Sequence, residues 1–117
     1  MSLDVYLGAH VDLGGSAPEW LTVWEANITH NLGTMACNAS GRLYCAVWRP
    51  DEEGLKTAAD VLPVLVDGIA TLKAQPDRFR ELNPPNGWGT YEGLVEFLED
   101  YRDACEKWPK AEVEASR

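Results

Sequence analysis

Leu3, Val5, Leu7, Ala9, Val11 and Leu13 fall at every second position, with Asp4, Tyr6, Gly8, His10 and Asp12 between them. Side chains that change face with each residue make this pattern a strand with one apolar face. A strand written this way needs a partner strand and a layer to cover that face. Gly14-Gly15-Ser16-Ala17-Pro18 follows and reads as a turn or loop, and Trp20 to Ile28, with Thr22, Val23 and Trp24, reads as a second strand. The short link predicts an antiparallel hairpin.

The period then changes. Ile28, Leu32, Met35, Ala36 and Ala39 lie at helical spacing, with Asn27 or Thr29 as the cap and Ser40-Gly41 as the stop. Leu43 to Trp48 suits either a strand or a turn or two of helix, and Arg49 to Gly54 reads as a loop. Residues 59–74 are expected to be helical, with a stripe of Leu62, Leu65, Val66, Ile69 and Leu72. Pro63 is tolerated there in the first turn if Asp60 is the cap. Pro76 opens a further short helix ending near Leu82. Residues 83–89, NPPNGWG, are irregular by composition. Thr90 caps a long helix carrying Leu94, Leu98, Tyr101, Cys105 and Trp108, and Pro109 ends it. Val113 and Ala115 alternate with Glu112, Glu114 and Ser116, as a terminal edge strand would.

The expected fold class is α+β: one domain over residues 1–117, with a small antiparallel sheet packed against three to four helices. The sheet comprises the N-terminal hairpin and the C-terminal strand. A hydrophobic fraction of 45% with 25% charged residues agrees with a chain that folds. Five Trp residues are expected mostly in or beside the core, with some left to line a ligand or partner surface.

Charge narrows the partners. Ten Lys and Arg stand against 19 Asp and Glu, a net −9. Binding to a nucleic-acid backbone draws on a basic face, and here only Arg78 and Arg80 approach a cluster. No nucleic-acid backbone binding is expected, and no membrane attachment; a basic protein partner suits the charge better. Three cysteines, an odd number without a CxxC, read as small core residues in a reducing compartment, and a cytoplasmic location is expected. No signal peptide or membrane span is read in the opening residues.

Two segments stand out for chemistry. Asn27-Ile28-Thr29-His30-Asn31 is dense in hydrogen-bonding side chains where a strand turns into a helix. Asn86-Gly87-Trp88-Gly89-Thr90-Tyr91 flanks an aromatic with glycines, which allow close backbone approach. Each has a purely structural explanation: capping residues with a satisfied His30, and a helix-entry loop whose Trp plugs the core. The ligand-binding set read from them is Asn27, Thr29, His30, Asn31, Asn86, Trp88 and Tyr91, suited to a small polar or nucleotide-like ligand. No cofactor and no metal is assigned; His10 and Asp12 share one strand face, with His30 or a cysteine to complete a set, but the spacing demands no ion. No nucleophile, phosphate-loop or zinc-protease motif occurs. An enzyme would have to use His30 as general base, oriented by Asp12 or Glu25. Glu92, Glu96, Glu99, Asp100, Asp103 and Glu106 form a solvated helix face or a docking site for a basic partner.

The stretches ANITHNLGTMA, LYCAVWRPDE and LNPPNGWGTYEGLVEFLEDY, with the closing AEVEASR, resemble a family of small uncharacterised proteins found in bacterial and phage genomes. NITHNL, WRP and NGWGTYE are its most specific pieces. The resemblance implies a stand-alone domain with the two polar-aromatic segments as hallmarks. Its phage connection implies a host-interaction or anti-defence role, and it names no substrate.

Overall fold

The computed structural model describes residues 2–117. The fold is α+β: a three-stranded antiparallel sheet packed against five α helices. Strand β1 (Ser2–Val11) pairs with β2 (Glu19–Thr29) and with β3 (Glu112–Ser116), giving the order β2-β1-β3. Between β2 and β3 run a 3-10 turn (His30–Leu32), α1 (Gly33–Ala39), α2 (Gly41–Trp48), α3 (Ala58–Ala74), α4 (Pro76–Arg80) and α5 (Tyr91–Lys107).

The alternation of β1 is realised over its first half. Leu3, Val5 and Leu7 are fully buried, and they meet Leu65, Leu94, Leu98 and Tyr101 in one contiguous core. Past Leu7 the pattern continues in sequence but not in burial: Ala9 is exposed, Val11 half-buried and Leu13 66% exposed beyond the strand's end. The register shifts there, because Leu7 faces Trp24 while Gly8 faces Thr22, so Val23 bulges.

One helix was expected over residues 28–39. Instead Ile28 stays in the strand and the turn divides. Thr29 is the cap, its Oγ1 accepting the Asn31 N–H at 3.3 Å, and Asn27 remains in β2. Leu43 to Trp48 is helical, because Ser40 caps α2 by accepting the Leu43 N–H and the apolar residues Leu43, Ala46 and Val47 then share a buried face.

Helix α3 begins earlier than the cap at Asp60 implied. Thr57 is the cap, and Asp60 closes a capping box by accepting the Thr57 N–H at 3.1 Å and the Lys56 N–H at 3.0 Å. Pro63 therefore lies past the first turn, on the exposed side, where water can serve the carbonyl its ring leaves unbonded. The buried stripe is Val61, Val64, Leu65, Gly68, Ile69 and Leu72, while Leu62 is half-buried and Val66 is 45% exposed. Gly68 explains the rotation: a Cβ there would stand 2.7 Å from Leu43 Cδ1, so α2 packs directly on α3.

Thr90 caps α5 as expected, accepting the Gly93 N–H at 3.0 Å. The acidic face of α5 is not simply solvated. Glu92 meets Arg80 at 2.6 Å, Glu99 meets Lys73 at 2.7 Å and Asp103 meets Arg102 at 3.0 Å. Of the cysteines only Cys105 is buried; Cys45 is half-buried, Cys37 is exposed, and all three thiols are free. Among the described residues, no helix is long and apolar enough to cross a membrane.

Candidate functional site

The polar turn after β2 and the NGWG loop meet. Asn27, Thr29, Asn31, Asn86 and Trp88, with Ser2 from the start of β1, line one open cleft of about 530 Å³. These five positions come from segments more than fifty residues apart, and Gly89 holds them together. Its φ of +101° suits a residue without a Cβ, and a Cβ there would lie 2.8 Å from Leu32 Cγ and 2.9 Å from Thr29 Cγ2. The loop backbone therefore lies directly on the turn.

The loop itself is ordered by its own residues. Gly87 also has positive φ, +79°, and the Asn86 Oδ1 accepts the Trp88 N–H at 3.0 Å. This Asx turn aims the indole outward, leaving Trp88 69% exposed. The other four Trp residues are buried or half-buried, so Trp88 is the one indole of the five left exposed.

Across the cleft, the Asn27 amide donates to Ser2 Oγ at 2.9 Å and to Asp4 Oδ1 at 2.8 Å, which fixes its orientation and turns its carbonyl to be an acceptor. The Asn31 side chain has no hydrogen-bond partner among the described residues, and it offers both a donor and an acceptor. Among the described residues, no Lys, Arg or His lines the cleft. The described lining is thus polar and amide-rich, beside one bare aromatic face, with the Asp4 carboxylate held behind Asn27.

Two residues expected at this site are elsewhere. Tyr91 is buried: its hydroxyl donates to the Leu72 carbonyl at 2.8 Å, and Asn83 Oδ1 accepts its N–H. As the first residue of α5, Tyr91 points into the helix layer rather than along the loop. His30 turns away from Trp88, because the 3-10 turn rotates successive side chains by about a third of a circle. It lines a separate pocket of about 320 Å³ with Thr34, Cys37, Tyr44 and Trp48. There the Trp48 indole N–H donates to His30 Nδ1 at 3.1 Å. An indole can only donate, so Nδ1 must accept, and a neutral His30 carries its proton on Nε2.

The other chemical possibilities also resolve. Glu25 faces Tyr6 within the hairpin, and Asp12 lies beyond the far end of β1, so neither orients His30. His10 is engaged at that same far end, its Nδ1 2.9 Å from Glu112 Oε1 and its backbone N–H donating to Glu112 Oε2. Among the described residues, no three His, Cys, Asp or Glu side chains are grouped to hold a metal ion. Sequence reasoning missed Ser2. The register that puts Ser2 opposite Thr29 brings it to the cleft, and that register follows only once the hairpin pairing is fixed.

No family model, curated protein or solved structure matches the chain.

Proposed function

We propose that this chain is a small, non-catalytic binding domain for a polar, nucleotide-like ligand, seated in the cleft between the turn after β2 and the NGWG loop. The observation that carries the reading is the convergence of Asn27, Asn31, Asn86 and an outward-facing Trp88 on one cleft. An exposed indole stacks on planar rings, and asparagine amides match the paired donors and acceptors on a nucleobase edge. The described lining offers amides and an indole and no cation, so the base is the part these residues recognise. The free thiols fit a cytoplasmic setting.

The test is a titration of the protein with free nucleobases, nucleosides and nucleotides by calorimetry and tryptophan fluorescence. Saturable quenching by at least one base or nucleoside is expected. Trp88→Ala should weaken it about tenfold or more, since a stacked base contributes about 1–3 kcal/mol. Absence of heat and of quenching across the panel at millimolar ligand would remove the proposal.

A second reading, an acidic interaction module for a basic protein and a phage–host contact by resemblance, is supported by Glu96, Asp100 and Glu106. These α5 residues have no ion-pair partner among the described residues, unlike Glu92, Glu99 and Asp103. A pull-down that captures a basic partner at low salt and loses it at high salt would favour it. The third reading, His30 as a general base, has less to stand on, because its Nδ1 is occupied by the Trp48 indole and no carboxylate among the described residues is hydrogen-bonded to it.

A further inference from the structure

The hairpin formed by β1 and β2 is longer than the layer that covers it. The molecule measures 52 Å along its long axis against 27 and 22 Å across. Leu3, Val5 and Leu7 lie on the helices, yet the same side of the hairpin runs on through Ala9 and Val11 of β1 and Leu21 and the bulged Val23 of β2, with Leu13 just beyond the strand's end. Among the described residues this continuation is left largely uncovered: Leu13 is 66%, Leu21 48% and Val23 44% exposed. The strand pattern that specifies a buried face is therefore only half used within one chain.

The charges along this arm are arranged unequally. At its base, where α5 ends, an apolar groove of about 420 Å³ lies between Ala9 and Val23 on the arm and Trp108, Pro109 and Ala111 on the body. Lys107 and Lys110 also line it, two of the few cations in a chain of net charge −9. Lys107 Nζ rests 4.5 Å from the Trp108 ring, and among the described residues neither lysine has a carboxylate within ion-pair distance. At the tip, Asp12 and Glu19 are exposed and likewise have no cationic partner among the described residues.

We propose that a second copy of this chain covers the arm, the two arms packing antiparallel about a two-fold axis with apolar face on apolar face. In that arrangement the tip of one arm lies at the base of the other. Leu13 enters the partner's groove beside Val23 and Trp108, and Asp12 and Glu19 approach the partner's two lysines. Because the axis repeats every contact, the acidic tip and basic base satisfy each other twice. A basic partner protein would not explain the pattern, since the base of the arm is itself cationic. The Trp88 cleft lies at the opposite end of the hairpin, beside Ser2 and Thr29, and stays open in such a dimer.

Sedimentation equilibrium of the full chain from about 5 to about 500 µM tests this. A reversible dimer is expected. Leu13→Ser with Leu21→Ser should raise its dissociation constant at least about tenfold, and Lys110→Glu should weaken it as well. Glu19→Lys should also weaken it, whereas combining Glu19→Lys with Lys110→Glu should restore dimerisation. All four positions are exposed, and unchanged far-UV circular dichroism checks that the variants fold. A wild-type chain that stays monomeric over the whole range overturns the proposal. So does a dimer indifferent to the leucine changes, or a charge swap that fails to restore what its single changes lose.

Discussion

The backbone of Gly89 lies against the side chain of Leu32, so close that a single added methyl group would stand 2.8 Å from Leu32 Cγ. This contact joins the NGWG loop to the turn after β2 and makes one cleft of two distant polar segments. Gly89→Ala forces both a disfavoured backbone angle and an overlap with Leu32 and Thr29. It should cost at least about 2 kcal/mol in urea unfolding and abolish ligand-induced quenching of Trp88. Gly87→Ala has the same backbone problem with open space around it, and should cost only about 1 kcal/mol.

His30 is placed to support Trp48, which is only 2% exposed. His30→Ala leaves the indole N–H without its acceptor. A loss of about 1–2 kcal/mol in denaturant unfolding is expected, partly recovered in His30→Gln, whose carbonyl can accept. Ligand affinity at the Trp88 cleft should be unchanged in both. A large loss of affinity with unchanged stability would instead return His30 to the binding site.

Tyr101 is fully buried between Trp24, on which it stacks at 5.2 Å, and Phe97, yet its hydroxyl has no hydrogen-bond partner among the described residues. Burial, with a smaller contribution from the neighbouring Cys105, pushes its ionisation well above the ordinary tyrosine range. Tyr101→Phe removes an unsatisfied polar atom and keeps both ring contacts. Thermal unfolding should show a protein as stable as the original or more stable, by up to about 1 kcal/mol.

Acid should destabilise the fold through its caps and exposed pairs. The Lys56 and Thr57 backbone N–H groups hold the Asp60 carboxyl below its ordinary range, the Arg117 guanidinium lowers Asp51, and the His10 backbone and ring lower Glu112. A carboxyl whose pKa is lower in the folded than in the unfolded chain stabilises the fold above its unfolded pKa and loses that contribution as pH falls through the folded one. The urea midpoint should therefore fall between about pH 5 and about pH 3. Asp60→Asn should lower the midpoint at neutral pH and make this decline shallower; an equal decline in the variant would show that Asp60 has no part in it.

The three thiols should react in order of access. Burial pushes the Cys105 thiol up to about 12, and burial with Glu53 nearby raises Cys45, whereas Cys37 is exposed on α1. Maleimide under native conditions should label Cys37 first and Cys105 last, with Cys105 modified only at the rate of unfolding.

Much of this was legible from residue order alone, and the exceptions have physical causes. The hairpin, the edge strand at residues 112–116 and the Thr90 cap follow from period and turn chemistry, which are local. The rotated stripe of α3 was not readable, because it depends on the close approach of Gly68 to Leu43 from another helix. Residues 27, 29, 31, 86 and 88 were legible as a polar-aromatic set. The direction of His30 and Tyr91 was not, since it follows from where the 3-10 turn and α5 begin, and each side chain is held there by a partner distant in sequence, Trp48 or Leu72. The uncovered half of the hairpin was hidden by the same alternation that revealed the strand, because periodicity states which face is apolar and not what lies against it.

The sheet order β2-β1-β3 also sets a sequence of events. β1 and β2 are neighbours along the chain and can zip together early, but Asp4 finds Ser116 only after every helix has been accommodated between them. Until then the central strand has a bare edge carrying Leu3, Val5 and Leu7, an apolar template for any passing strand. The short closing strand is thus a latch, and slow or failed latching is the route by which this chain would misassemble.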